Sequence, residues 1–249
     1  MSRLAALCLT AATTLAPSLA TADERPYAFT YEPVVSAAGE REVELYGTLA
    51  EPRSGRASER AWEHKLELGY GFTDRLTVSG YGVFRSMTGT PFEFSALKLE
   101  GRYKVLDAGA SPVDLVLYLE AEKEVVDDKP WAVEEKLIFG RNHGRLSWAV
   151  NLVAEQEWPT GGGTEFKWGW SAGAAVKLND VVRVGAESFG ERASDVDGLV
   201  SWEAFAGPTA VFTLPSGPFN TAWVIVGAGF GLREDNDRLR ARVVLGADF

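Results

Sequence analysis

Residues 62–84 read WEHKLELGYGFTDRLTVSGYGVF, and this stretch decides the fold. Side chains of an extended strand point alternately to its two faces. Over 62–70, one face is mostly apolar and aromatic, whereas the other carries Glu63, Lys65 and Glu67. The next five residues, GFTDR, have the Gly and Asp typical of a tight turn, and a second alternating run then returns toward residue 84. The stretch is therefore predicted to form a β-hairpin of two long strands.

The first 22 residues are predicted to be a cleaved signal peptide. Arg3 supplies a positive start, an apolar and small-residue run follows over 4–16, and residues 20–22 form an A-x-A cleavage pattern. The mature chain would begin at Asp23, with cleavage after Ala20 as the alternative. A retained membrane anchor is less favoured, because the apolar run is short for a span of ~20 residues.

Composition excludes several classes of protein. The net charge of −10 disfavours a nucleic-acid binder, since such proteins carry basic faces. The one cysteine, Cys8, falls in the predicted signal peptide, so the mature chain would have no disulfide framework. No stretch of the mature chain reaches 18 uninterrupted apolar residues, which disfavours a transmembrane helix.

Alternation resumes at residue 41 and continues to the C-terminus, which predicts twelve strands. The predicted strands are 41–49, 61–71, 76–86, 93–105, 113–124, 131–141, 145–157, 164–178, 181–192, 199–213, 220–233 and 238–249. Ten or fourteen strands are alternatives that the pattern leaves open. Tight turns alternate with looser, more polar loops, and an even strand count with this alternation is the arrangement of outer-membrane barrels.

The residues that precede the first strand, 23–40, show no alternation and contain Pro26, Pro33 and Gly39. They are predicted to be a periplasmic lead-in, or alternatively a small plug folded into the lumen. The domain organisation is therefore a signal peptide over 1–22, this segment over 23–40, and a barrel over 41–249.

Four features favour a membrane barrel, whose apolar face points outward, over a soluble one. Dense charges line one face of several strands, aromatic residues end the apolar stripes, and several strands exceed the usual five or six residues. Trp62 and Tyr70, for example, are separated by roughly 20 Å along the membrane normal, which suits two interfacial girdles. The last strand alternates up to Phe249. The predicted fold is all-β: a single closed antiparallel transmembrane β-barrel in the outer membrane of a Gram-negative cell.

This architecture assigns three sets of residues. The lumen-lining residues, which would form either a polar constriction or a salt-bridge ladder, are Glu42, Glu44, Glu63, Lys65, Glu67, Lys98, Glu100, Arg102, Lys104, Glu120, Glu134, Lys136, Arg238, Arg240 and Arg242. The predicted membrane-interface aromatics are Trp62, Tyr70, Tyr103, Trp148, Trp168 and Trp170. Phe249 is the predicted assembly signal.

Several segments carry a resemblance to a known family. They are 39–44, GEREVE; 67–76, ELGYGFTDRL; 101–104, GRYK; 112–120; and 135–137, EKL. In these segments the chain resembles uncharacterised Gram-negative outer-membrane barrels, relatives of the barrel proteins associated with phenol meta-pathway degradation. The resemblance implies a barrel fold and brings no catalytic residues with it.

Catalytic and metal-binding patterns are sparse. The chain has two histidines, His64 and His143, and neither has the Ser and the acid or Asn partner that an outer-membrane lipase or deacylase needs. Without paired histidines or a mature cysteine there is no zinc or copper pattern. No enzyme activity, cofactor or metal site is predicted.

The predicted function is a narrow passive channel for small solutes, because a charged inner face is the remaining functional candidate. The mixed signs of that face argue against a strong preference for anions or cations. The alternative is a structural or envelope-interaction barrel with an occluded lumen and no transport. Expected partners are outer-membrane lipid, the barrel-assembly machinery and small solutes, with no nucleic acid.

Overall fold

The computed structural model describes residues 25–106, 110–126, 131–214 and 219–249. The predicted signal peptide lies outside the described residues. The described chain forms twelve strands and a one-turn 3-10 helix over Ala57–Glu59. The strands are β1 (Arg41–Glu51), β2 (Ala61–Thr73), β3 (Leu76–Met87), β4 (Glu93–Lys104), β5 (Asp114–Glu124), β6 (Trp131–His143), β7 (Leu146–Trp158), β8 (Glu165–Lys177), β9 (Val182–Ser194), β10 (Val200–Leu214), β11 (Thr221–Gly231) and β12 (Leu239–Asp248).

These strands form one closed antiparallel barrel, as predicted. Each strand pairs with its neighbours in sequence, and β1 closes the ring against β12. The hairpin that decided the prediction is β2 and β3, which pair from Trp62 opposite Ser86 to Gly71 opposite Thr77. Closure leaves no sheet edge among the strands, so every strand has hydrogen-bonding partners on both sides.

The strand boundaries differ from the predicted ones by a few residues, and two differences matter. β12 begins at Leu239 rather than at 238, so Arg238 lies in the preceding loop, where its backbone N–H donates to the Glu51 carbonyl at 2.8 Å. β6 continues to His143, and the turn is made by Gly144, at φ +61°, and Arg145. Glycine adopts this left-handed conformation without steric cost, which allows the two-residue turn.

The two faces of the barrel wall differ as the alternation requires. In β2, Leu66 and Leu68 are exposed on the outside, whereas Glu67 between them is 1% exposed. The exposed apolar side chains form the lipid-facing surface, and the charged ones turn into the lumen. Among the described residues, no helix is long and apolar enough to cross a membrane.

The two rims of the barrel are distinguishable. One rim carries the start of β1, the end of β12 and the two-residue turns 74–75 and 144–145. Outer-membrane barrels place their short turns on the periplasmic side, so this is the periplasmic rim. The opposite, extracellular rim carries the connections 52–60, 88–92 and 232–238 among others.

Candidate functional site: a charged lumen crossed by the N-terminal segment

Residues 25–40, hereafter the lumen segment, run from inside the barrel to its periplasmic rim: 25–36 are buried or half-buried, whereas 37–39 are exposed. Tyr27, Ala28 and Thr30 are fully buried. Arg25 and Glu32 are 7% exposed. The segment becomes buried here because the barrel wall surrounds it and satisfies its polar groups.

The lumen segment touches opposite walls of the barrel. In a closed ring of twelve strands, strands six apart face each other. The Ser36 N–H donates to Thr77 of β3 at 2.8 Å, and the Thr30 N–H donates to Glu187 of β9 at 2.8 Å. The segment therefore spans the bore rather than following one wall.

Glu187 holds the middle of the lumen segment. Its carboxylate accepts hydrogen bonds from three successive backbone N–H groups, those of Ala28, Phe29 and Thr30, each at 2.8 Å. Consecutive N–H groups that point to one site form an anion-binding concavity, and hydrogen bonds to a charged acceptor are stronger than neutral ones. A buried carboxylate is thus compensated by the backbone of the segment itself.

Two further contacts attach the lumen segment to β1 and β7. Asn151 accepts from the Tyr31 N–H at 2.7 Å and donates to the Tyr31 carbonyl at 2.8 Å. Arg25 donates to the Tyr46 hydroxyl at 2.5 Å and forms an ion pair with Glu44 at 3.2 Å. β1 and β7 are also six strands apart, so these contacts fasten the segment across the lumen a second time.

Charged side chains around the segment pair with one another across neighbouring strands. Lys98 contacts Glu120 at 2.8 Å and Glu122 at 2.6 Å. Arg85 contacts Glu122 at 3.4 Å and Glu63 at 3.1 Å, so these residues connect β2 to β5. Lys167 of β8 pairs with Glu155 and Glu157 of β7, and Arg240 of β12 pairs with Glu203 of β10. Opposite charges are therefore compensated locally, as a salt-bridge ladder requires.

Above the lumen segment, the barrel encloses a cavity of about 850 Å³, hereafter the outer vestibule. Its lining reaches the extracellular loops at Thr90 and Val126, and it extends down to Phe29 and Tyr31 of the lumen segment. The ten charged lining side chains are Glu63, Glu93, Glu124, Glu134, Glu191, Glu203, Arg85, Lys136, Arg240 and Arg242. The vestibule is thus a polar, charged space whose floor is the lumen segment.

An aromatic stack lies beside the vestibule floor. The rings of Phe29 and Phe189 stack at 4.2 Å between centroids, and Phe189 stacks on Phe205 at 5.2 Å. The Arg242 guanidinium lies 4.7 Å from the Phe29 ring and also donates to the Ala28 carbonyl at 3.1 Å. The stack joins the lumen segment to β9 and β10 through flat apolar surfaces.

One group of carboxylates at the periplasmic side has the spacing of a cation site. Oxygens of Glu42, Glu44 and Glu67 lie within 4.8 Å of one another. Glu44 already pairs with Arg25 and accepts from Trp223 Nε1 at 3.1 Å, and Glu67 accepts from Tyr46 at 2.7 Å. We therefore assign Arg25 and these donors to the charge compensation of the group.

Comparison with known proteins identifies the fold. No protein-family model matches the chain, and no curated protein matches it in sequence. An outer-membrane channel from Pseudomonas putida F1 superposes with a TM-score of 0.59 at 12% identity, covering 87% of this chain and 97% of that chain. The chain has the fold of an outer-membrane β-barrel.

Two porins share this outer-membrane barrel fold. The NanC porin has a TM-score of 0.57 at 9% identity and covers 83% of this chain and 98% of that chain. The KdgM porin, solved in complex with disordered oligogalacturonate, has a TM-score of 0.56 at 10% identity and covers 84% of this chain and 98% of that chain. At such low identities the similarity establishes the fold alone.

In this outer-membrane barrel, the predicted lumen-lining residues are buried or half-buried, except for Arg238, which is exposed. Arg238 lies at the extracellular rim and pairs with Glu51 at 2.6 Å. Among the predicted interface aromatics, Trp62, Tyr70, Tyr103 and Trp168 are exposed, whereas Trp148 and Trp170 are half-buried. Phe249 is 48% exposed, and its backbone pairs with Arg41 at the start of β1.

Sequence reasoning missed the residues that hold the lumen segment. The nearest inward neighbours of Glu187 on β9 are Gly185 and Phe189, and those of Asn151 on β7 are Ala149 and Val153. A single polar residue between uncharged inward neighbours was the signal available in the sequence. Three tyrosines, Tyr46, Tyr81 and Tyr118, were also missed, although each lies on the charged face of its strand and donates a hydroxyl to a lumen carboxylate.

Proposed function

We propose that this chain is a narrow passive outer-membrane channel for small hydrophilic solutes, with the outer vestibule as its entrance. The vestibule carries the proposal, because it is a polar, charged space that reaches the extracellular loops and can admit small hydrophilic solutes. Its volume of about 850 Å³ lies in the range of small-molecule sites, ~300–1,000 Å³. The structural similarity to an outer-membrane channel and two porins supports the same class of function.

The lining chemistry favours solutes that exchange hydrogen bonds and charge contacts easily. Most vestibule cations already pair with wall carboxylates, as Arg85 does with Glu63 at 3.1 Å and Arg240 with Glu203 at 2.6 Å. Such pairs offer polar contacts of both signs but do not bind one solute tightly. Conduction requires sites that solutes leave as readily as they enter. Neither His64 nor His143 belongs to the vestibule lining.

Conductance tests this function directly. We expect purified protein in planar bilayers to give discrete conductance steps, either from the full chain or from a variant lacking residues 25–38. Both proteins must first show the heat-modifiable electrophoretic mobility of a folded barrel. If both are folded and silent at every voltage, the channel proposal is wrong and the structural barrel with an occluded lumen is correct. Liposome-swelling rates with sugars and phenols of similar size would then compare solutes, including the class suggested by the sequence resemblance.

The vestibule predicts a modest preference for cations. Its lining has six glutamates against four Arg and Lys residues, and a lumen with excess negative charge concentrates cations. The Glu191→Lys change brings the two signs into balance, so we expect the reversal potential in a KCl gradient to move to near zero. Asp180→Lys is the control, since Asp180 is 99% exposed on a periplasmic turn. Equal shifts in both variants would contradict the vestibule as the selective region.

A further inference from the structure

The barrel wall is shaped around the lumen segment by glycines. A Cβ added to Gly227 would collide with the Cβ of Ala28, and one added to Gly71 would collide with the carbonyl of Ala37. A Cβ on Gly173 would lie 2.6 Å from the Tyr27 ring, closer than real Cβ contacts. The missing side chains at these three positions leave the space that the segment fills, so the segment fits a defined seat in the wall.

Most of the bonds that hold the lumen segment in place are hydrogen bonds that water can replace. The Glu187 carboxylate bonds to three backbone N–H groups, and it has no ion pair with any residue in the described ranges. Asn151, Thr77 and Asp74 likewise bond to backbone groups of the segment. Water can replace hydrogen bonds of this kind when the segment leaves, because the net gain from each such exchange is small.

The segment also has a hinge. Gly39 has φ +87°, and nothing lies within 4 Å of its Cβ position. Its N–H donates to the Gly71 carbonyl at 2.8 Å, and Arg41 pairs with Phe249 at the closing seam. The chain is thus anchored at the periplasmic rim, whereas residues 25–38 reach from that rim to mid-height in the lumen.

From these observations we propose that residues 25–38 are a displaceable gate, latched by Glu187, that closes the bore at rest and opens by withdrawal toward the periplasm. This proposal rests on the channel function proposed above and adds its regulation. The gate closes the bore because it contacts walls that face each other. It can withdraw because its polar anchors accept water and because, among the described residues, it is continuous with the barrel wall at the periplasmic rim alone.

Adding one methyl group to the barrel wall, and then removing one from the segment, tests the gate. Gly227→Ala places a methyl group where Ala28 sits, so we expect the fraction of time spent in the open level to rise at least tenfold in planar bilayers. Adding Ala28→Gly to the same variant removes the colliding Cβ and should return the open fraction to that of the unmodified chain. Gly101→Ala is the control, because a Cβ there meets nothing within 4 Å. A folded Gly227→Ala barrel with unchanged open fraction would overturn the gate.

A second pair of variants tests the latch. Glu187→Gln weakens the bonds to three N–H groups and should also raise the open fraction. Glu191→Gln makes the same chemical change two inward positions further along β9. Within the described residues, Glu191 has no hydrogen bond to the segment, so this variant should alter ion preference without altering the open fraction. Equal open fractions in the two variants would mean that Glu187 is not the latch.

Chemical labelling follows the gate independently of conduction. Thr30 is fully buried, so a cysteine in Thr30→Cys should resist a periplasmic maleimide reagent in the closed barrel and react at least tenfold faster in the Gly227→Ala background. Equal labelling rates in both backgrounds would overturn the gate. If the full chain and the barrel lacking residues 25–38 both fold but never conduct, both proposals fail. If the two conduct equally, the channel stands and the gate alone fails.

Discussion

A Gly207→Val variant is expected to lose the folded barrel. A Cβ at Gly207 would run into the backbone carbonyl of Ala228 on the adjacent strand β11, and backbone cannot move aside as a flexible side chain can. The neighbouring Pro208 has no N–H for hydrogen bonds between strands. β10 therefore has fewer such bonds here to compensate for the strain. We expect a destabilisation above ~4 kcal/mol, in the range of the most severe single substitutions.

Refolding from urea into detergent micelles, followed by electrophoresis without heating, measures this loss as the fraction of fast-migrating folded barrel. Gly101→Val is the matched control on strand β4, since its Cβ position is open and valine favours strands. A folded fraction for Gly207→Val that equals that of Gly101→Val would show that β10 and β11 do not approach as closely as described here.

Lys98→Met is expected to destabilise the barrel by about 3 kcal/mol, because it leaves buried carboxylates without their cation. Lys98 is 16% exposed and bridges Glu120 and Glu122, which are 7% and 12% exposed. Arg85 still reaches Glu122 at 3.4 Å, so Glu120 is the carboxylate that loses most. Methionine keeps the length of the side chain, and the change therefore isolates the charge.

Urea-unfolding midpoints in lipid vesicles give the size of this effect. Lys177→Met is the control, because the Lys177–Asp180 pair is exposed on a turn and such pairs contribute ~0–1 kcal/mol. Adding Glu120→Gln to Lys98→Met should recover part of the loss. If the two lysine variants unfold at the same urea concentration, the lumen ladder contributes no more than a surface pair.

The strands could be predicted because their pattern is local. In β2, charged and apolar residues alternate so regularly that one face must contact water and the other an apolar environment. β3 shows the same period after a short turn. The predicted strand boundaries were wrong where no residue marks the end of the alternating pattern. Arg238 continues the spacing of Arg240 and Arg242 in sequence, yet it lies in the loop before β12, although its backbone N–H still bonds to the Glu51 carbonyl of β1.

The charged lumen was predicted only in part, for a related reason. Glu63, Lys65 and Glu67 are adjacent inward positions of one strand, so they form a visible stripe. The adjacent inward positions to Glu187 on β9 are Gly185 and Phe189, which carry no charge. Its partners Ala28 and Thr30 are more than 150 positions away in the chain. A local sequence pattern cannot predict a hydrogen bond between residues so far apart in the chain.

The sequence by itself therefore determined the all-β class and the two faces of the wall, since period-two alternation follows from strand geometry alone. It predicted twelve strands but left ten or fourteen open, and ring closure in the structure decided the number. Whether the irregular segment before β1 hangs below the barrel or fills it was decided only by the tertiary structure. Ring closure places Asn151 of β7 opposite Glu44 of β1 and brings Glu187 of β9 into the same lumen. Backbone groups of the segment bond there to side chains that are far away in the chain, and no local pattern specifies those bonds.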